Sequence, residues 1–401
     1  MNDSTTPVLF TPIQMRELEI QNRVMVSPMC QYSSTEGSAG PWHHMHLGQF
    51  AASGVGLLCI EMTNVEPIGR ITPHCMGLYS DDNESALRQV VHFCKEISDT
   101  PIALQLAHAG RKASSTRPWE GRKPILPANG GWQTVAPSAI AFHDTAPAPR
   151  ELSSAEIAAI VKNFSDAAHR AERIGIDAIE LHAAHGYLLH QFLSPISNLR
   201  TDGYGGSLDN RMRFILEVFE ATRSAWPSNK PLGIRLSATD WIHGGWDIDQ
   251  SIVLCNLLRE SGCDWIDVSS GGLAPDQVVP IGPGYQVPLS ERIRQETGLA
   301  TIAVGMITEP RQAEIILSQG KADMVALARG MLYNPRWVWH AADELGARAK
   351  YPIRYQRCRP SQRDDVFGER DVHHTRPTAD QSFSQFTSDP AGKHVEDQGV
   401  L

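Results

Sequence analysis

Residues 153–187 read SSAEIAAIVKNFSDAAHRAERIGIDAIELHAAHGY, and the fold is decided there. Ser153 and Glu156 have capping-box spacing, in which two side chains satisfy each other's free backbone N–H groups. Apolar residues then recur at a helical period as far as Ile174, and Gly175 supplies the stop. A short apolar run follows at 177–181. Continuous apolarity, rather than alternation, marks a strand buried on both faces. The run ends in polar residues, His182, His185 and Tyr187. The stretch is one helix feeding one buried strand, with chemistry-bearing side chains at the strand's C-terminal end.

The same unit recurs in both directions. Buried-strand runs stand at 23–27 (RVMVS), 55–61 (VGLLCIE), 101–106 (PIALQL), 177–181 (DAIEL), 232–236 (LGIRL), 265–268 (WIDV), 301–304 (TIAV) and 324–327 (MVAL). Helical patterns separate them. One runs over 207–225 between Gly205-Gly206 and Pro227, one over 249–261 up to Gly262, and one opens at Glu309-Pro310 and ends near Gly320. Eight strand–helix repeats over some 320 residues predict an α/β fold, a (β/α)8 TIM barrel, rather than a doubly wound sheet. Residues 8–20 alternate apolar and polar, which predicts a hairpin plugging the barrel floor. Residues 107–152 form a long Pro/Gly-rich excursion after strand three, and loops of that length are usually functional.

Composition bounds the rest. The chain has 401 residues, 41% of them hydrophobic, and a net charge of −9. An acidic chain with no basic run argues against nucleic acid or an anionic membrane as partner. Seven cysteines, none in a C-x-x-C pair, signal neither a zinc ribbon nor an iron–sulfur cluster. No apolar run reaches the roughly 18 residues of a membrane span, and the N-terminus shows no signal-peptide pattern. A soluble, cytoplasmic setting is expected. Residues 360–401 hold 10 apolar residues in 42, too few to bury a core. The expected division is therefore a barrel domain over 1–359 and a polar, disordered tail over 360–401.

In a barrel, polar residues just past the C-terminal strand ends form the site. After strand one come Ser27, Pro28, Met29, Cys30 and Tyr32. After strand two come Glu61 and Met62, and strand three carries Gln105. A lone cysteine is more often a small buried hydrophobe than a reactive group. His182 and His185 suit paired hydrogen-bond donors to a carbonyl oxygen, or metal ligands. Arg235 is a charge inside an apolar strand, and a buried unpaired guanidinium is costly, so it implies an anionic partner or an internal ion pair. Gly305, Ala328 and Arg329 close strands seven and eight, where barrels of this kind hold phosphate. A metal-dependent barrel hydrolase is the competing reading. It would draw on His43, His44, His46, His182 and His185, with Asp267 or Glu61.

Several blocks together carry a resemblance: SPMCQYSS (27–34), WHHMHLGQ (42–49), QLAHAGRKAS (105–114), HAAHGYLLHQFLSP (182–195), GPGYQVP (282–288), AVGMIT (303–308) and ALARGML (326–332). The chain resembles the old yellow enzyme family of FMN-dependent ene-reductases, in the branch with a cysteine beside the flavin, similar to bacterial xenobiotic reductases. The resemblance covers about residues 8–358. It implies an NADPH dehydrogenase or ene-reductase that uses FMN, with NADPH or NADH as donor, on small-molecule enones. It implies that Ser27, Pro28, Met29, Cys30 and Met62 line the flavin and Gln105 bonds its pyrimidine edge. Arg235 would face N1 and C2=O, while Gly305, Ala328 and Arg329 would hold the phosphate. His182 and His185, assisted by Tyr32, would bind the substrate carbonyl, and Tyr187 would donate the proton. Met62 stands where relatives usually carry a small residue. Tyr355-Gln356-Arg357 resembles a C-terminal element that crosses into a neighbour's active site, implying a homodimer or homotetramer with Arg357 at the partner's substrate; Cys358 and the residues beyond it do not match.

Overall fold

The computed structural model describes residues 6–358. The described residues up to Lys350 form one compact unit, and those from Tyr351 belong to a second. The expectation for residues 360–401 lies outside the described residues.

A short antiparallel hairpin, β1 (Ile13–Met15) and β2 (Leu18–Ile20), precedes the barrel. The barrel strands are β3 (Val24–Val26), β4 (Leu57–Asn64), β5 (Ile102–Ala107), β8 (Ala178–Ala183), β9 (Leu232–Ser237), β10 (Trp265–Ser269), β11 (Ala300–Ala303) and β12 (Met324–Leu327). They close in that order, all parallel, with β12 pairing back onto β3. Between them lie α1 (Pro41–Ala51), α2 (Asp81–Ile97), α3 (Ser154–Ile174), α4 (Leu188–Leu193), α5 (Leu208–Ala225), α6 (Ile248–Glu260), α7 (Val287–Thr297) and α8 (Pro310–Ser318). After β12 come α9 (Arg329–Tyr333) and α10 (Trp337–Glu344). The eight-stranded parallel barrel expected from the repeats is present.

Local chemistry explains the elements. Ser153 Oγ accepts the Glu156 N–H while the Glu156 carboxylate accepts the Ser153 N–H at 2.9 Å, and Gly175 ends α3 at φ +92°. The helix expected from residue 249 begins at Ile248, because Asp247 caps it by accepting the Gln250 N–H. The hairpin sends Met15 and Ile20 into a core with Met25, Leu57, Trp265, Ile302 and Met324, so it closes the barrel floor. Within the excursion, β6 (Val135–Ala136) pairs in parallel with β7 (Arg150–Glu151). Among the described residues no helix is long and apolar enough to cross a membrane.

Candidate active site

The loop after β3 enters the site along the barrel rim. Glu61 on β4 anchors it by accepting the Gln31 N–H at 2.9 Å. Ser27 Oγ is buried without a hydrogen-bond partner. Burial pushes the half-covered Cys30 thiol well above its usual pKa, with Cys75 and Glu61 adding to the effect. Tyr32 adopts φ +50° and lies edge-on to Trp119, ring centroids 5.9 Å apart. A left-handed non-glycine residue costs energy that surrounding contacts must offset, and such strain gathers at functional sites. Met62, Tyr32, Cys75 and Tyr187 share one apolar cluster, with Cys30 packed against it.

Opposite this loop, β8 delivers His182 and then turns sharply. His185 sits at φ +58° and Gly186 at φ +71°. The turn brings the His182 ring to 5.1 Å from His185 and 5.0 Å from Tyr187, nearly perpendicular to each. The Ala184 N–H donates to His182 Nδ1 at 3.3 Å, which assigns the ring proton to Nε2. Ser269 Oγ lies 2.7 Å from His185 Nε2, and His185 Nδ1 has no partner. With the serine donating to this ring at 2.7 Å rather than to Gln286 Oε1 at 3.4 Å, that Nδ1 carries the proton. Burial holds both imidazoles well below their ordinary pKa, reinforced by Arg235 and Lys112. Burial also pushes the Tyr187 phenol up, so it stays protonated. The corner thus offers two neutral imidazoles and one phenol.

The turn has its own supports. The Gly186 N–H donates to His190 Nδ1 at 2.9 Å, and His190 Nε2 donates to the buried Asp240 at 2.8 Å. Lys112, from the excursion, donates to the carbonyls of His185 and Gly272, both at 2.9 Å. Its ammonium also lies over the rings of Phe142 and Tyr187. Lys112 was not foreseen from the sequence, where it is one polar residue in a polar loop.

Inside the barrel, Gln105 Nε2 donates to Glu180 Oε1 at 2.9 Å. Arg235 Nε lies 3.4 Å from Asp267 Oδ2. Arg235 therefore has an internal carboxylate, and its burial alone does not require a bound anion. Gly305 adopts φ +117°, and a Cβ there would meet Gln286 Nε2 at 2.7 Å. Ala328 caps α9, and Arg329 is exposed, with no hydrogen bond or ion pair among the described residues.

The histidines of the hydrolase alternative do not converge. His43 Nε2 faces Glu61 at 3.4 Å, and His46 lies edge-on to Phe50 within α1. Among the described residues no group of three or more His, Cys, Asp or Glu side chains is arranged to hold a metal ion. Arg357 lies in the second unit, in a 3-10 turn over Ile353–Cys358.

The model of the NADH:flavin oxidoreductase / NADH oxidase family matches residues 8–347. The chain belongs to that family. NADPH dehydrogenase of Geobacillus thermodenitrificans is 43% identical over 352 residues, which is 87% of this chain and 98% of that protein. NADPH dehydrogenase of Bacillus subtilis is 41% identical over 351 residues, with the same shares. The solved structure of morphinone reductase has a TM-score of 0.72 at 30% identity, covering 88% of this chain and 93% of that one. The protein is thus an oxidoreductase of a family that uses FMN.

The site has the donors an FMN needs. Ser27 Oγ is a buried polar atom without a hydrogen bond, and Arg235, whose Nε faces Asp267, keeps the rest of its guanidinium for a second partner. Arg329, just past β12, is a guanidinium fork without a partner among the described residues, next to Gly305 just past β11, and such a fork with backbone N–H groups suits a phosphate monoester.

Proposed function

We propose that this oxidoreductase reduces the activated C=C bond of α,β-unsaturated carbonyl compounds at the expense of NADPH or NADH, in a ping-pong cycle through FMN. The observation that carries this reading is the neutral pair His182 and His185 meeting protonated Tyr187 in one buried corner. Bound FMN supplies hydride transfer, taking a hydride from the nicotinamide and giving it to the alkene β-carbon. The two relatives named NADPH dehydrogenase and the morphinone reductase structure solved with tetrahydroNAD support a nicotinamide donor.

The chain's own residues would do the remainder. Negative charge develops on the substrate carbonyl oxygen as the β-carbon is reduced. His182 Nε2–H and His185 Nδ1–H stabilise it, at about 10²–10³ in rate per donor in comparable sites. Tyr187 delivers a proton to the α-carbon from the opposite face, so net addition is trans. Tyr32 assists in holding the carbonyl. Ser27, Pro28, Met29, Cys30 and Met62 line the cofactor, Gln105 and Arg235 meet its pyrimidine edge, and Gly305, Ala328 and Arg329 hold its phosphate. Arg357 completes the pocket of a second copy in a homodimer or homotetramer. A cytoplasmic location suits seven cysteines that are all unpaired.

The test is spectroscopic. Purified protein should show the blue-region bands of flavin, lose them on anaerobic addition of NADPH, and regain them on addition of an enone. Protein that binds no FMN, or that is bleached by NADPH and not reoxidised by any enone, would refute the reading.

A further inference from the structure

Beneath the histidine corner lies a buried charge cluster that the proposed chemistry does not use. β5, β8, β9 and β10 are adjacent, and their register sets Gln105 opposite Glu180 and Arg235 opposite Asp267. Glu180 and Asp267 have no exposure at all, and Arg235 is 7% exposed. Glu180 accepts hydrogen bonds from two neutral donors, Gln105 Nε2 at 2.9 Å and Trp265 Nε1 at 3.3 Å. Both oxygens of Asp267 lack a hydrogen bond, and the cation facing it is the Arg235 Nε at 3.4 Å. The other side chains facing the cluster bring no compensating charge. β4 brings the thiol of Cys59, which burial keeps protonated. β11, β12 and β3 bring Ile302, Met324 and Met25. His182, opposite Arg235 in the register, and His185 beyond it stay neutral.

Two carboxyls therefore face one guanidinium in a dry interior. Were both ionised, the core would hold an uncompensated negative charge, at a cost of several kcal/mol. Two carboxylates on either side of one strand in this interior also repel, which raises the proton affinity of the pair. Burial pushes both groups up, while Arg235 pulls against it.

We propose that Glu180 and Asp267 share one proton and that, through Gln105 and Arg235, this pair sets how steeply the redox equilibrium of the bound cofactor depends on pH. The coupling rests on the FMN reading above, because it needs Arg235 to face the flavin. Arg235 then divides its charge between the carboxyls below and the cofactor above. Reduction by a hydride adds negative charge on the cofactor side and draws Arg235 away from the pair. The pair responds by binding up to one further proton from solvent per two electrons, and no bond other than a carboxyl O–H is made. Linkage is reciprocal, so that proton favours reduction. The reduction equilibrium gains up to an extra tenfold per pH unit where the pair titrates, equal to 29.6 mV for a two-electron couple.

Infrared spectroscopy of the protein as purified reads the proton directly, through the C=O stretch of an un-ionised carboxyl. Wild type should show one such group at neutral pH. Glu180→Gln and Asp267→Asn should each lose it, because the remaining carboxyl faces one guanidinium and ionises. Spectroelectrochemistry across pH should give a steeper potential slope in wild type than in either variant. A merely structural role would change FMN content or melting temperature and leave the slopes parallel. No un-ionised carboxyl in neutral wild type overturns the shared proton, a test that needs no variant to fold. Parallel slopes overturn the coupling. Protein that binds no FMN overturns the functional reading and the coupling with it, while the infrared titration still decides the proton.

Discussion

Gly272 sits in the loop after β10 at φ +86°, against the turn that carries the histidine pair. A Cβ at this position would lie 2.5 Å from His185 Cα and 2.7 Å from its carbonyl carbon. Carbon atoms pack best at about 3.5–4.0 Å, so Gly272→Ala must drive the two backbones apart by about 1 Å. Neither can yield cheaply, since the Lys112 ammonium holds the carbonyls of both residues. The left-handed conformation costs an alanine about 1–2 kcal/mol, and loss of one backbone hydrogen bond adds about 1 kcal/mol. Stability should fall by about 2–3 kcal/mol. A 1 Å misplacement of a positioned group costs about 10²-fold in rate. If nicotinamide and enone both use the histidine pair, both half-reactions should slow by that order, with FMN content unchanged because the phosphate-end residues follow β11 and β12. Stopped-flow absorbance of each half-reaction, with a denaturant titration, is the assay. Gly272→Ala enzyme with wild-type rates in both half-reactions would refute the claim that this loop sets the position of His185.

Tyr187→Phe should behave differently, leaving flavin reduction by NADPH intact and slowing alkene reduction by about 10²–10⁴, the range for one general acid; an unchanged oxidative half-reaction removes the phenol from the mechanism. Cys30→Ala should retain FMN, with a shifted reduction potential and altered rates rather than no activity, because a thiol held protonated tunes the cofactor instead of attacking substrate. Spectroelectrochemistry giving an unshifted potential counts against contact with the ring, and an inactive variant with FMN still bound points to a nucleophile. Acid should destabilise the fold through His46, whose pKa burial lowers from 6.5 to about 4. Above pH 6.5 the imidazole is neutral in both states; between there and about pH 4 only the unfolded chain binds the proton, so stability falls with pH by at most about 1.4 kcal/mol per unit for this group. Urea titrations of His46→Gln should show a correspondingly shallower loss, and an identical pH profile would rule the imidazole out.

The sequence was most informative where one local rule governed each residue. Strands buried on both faces read as unbroken apolar runs, so all eight barrel strands were located to within a few residues. His182, His185 and Tyr187 were legible because a barrel presents whatever follows a strand end. Pairings between distant segments were not legible. Glu180 and Asp267 are separated by 86 intervening positions, and only the side-by-side pairing of β8, β9 and β10 sets them on either side of Arg235. That pairing also gave Arg235 an internal partner, where its sequence context left an external anion open. The two-residue strands β6 and β7 lie in a Pro/Gly-rich segment too short for any period to register. Lys112 was missed for a related reason: its role comes from the carbonyls it reaches, and those belong to other loops.

The excursion after β5 is pinned at both feet. At the first, Arg111 donates to the Leu273 carbonyl and Lys112 to those of His185 and Gly272. At the second, Arg200 donates to the carbonyls of Pro137 and Leu152, and the Leu199 N–H donates to Ser138 Oγ. Between the feet, Trp119 and Leu126 stand exposed. For protein engineering this separates two kinds of position. Grafts and libraries confined to residues 116–131 and 143–149 reshape the rim that incoming molecules meet, while the anchored feet, with Ile140, Ala141 and Phe142 against Arg111 and Lys112, keep the proton-handling corner in register. Selection for new substrates can therefore sample length and composition there, in a part of the chain where variation does not compete with assembly of the barrel.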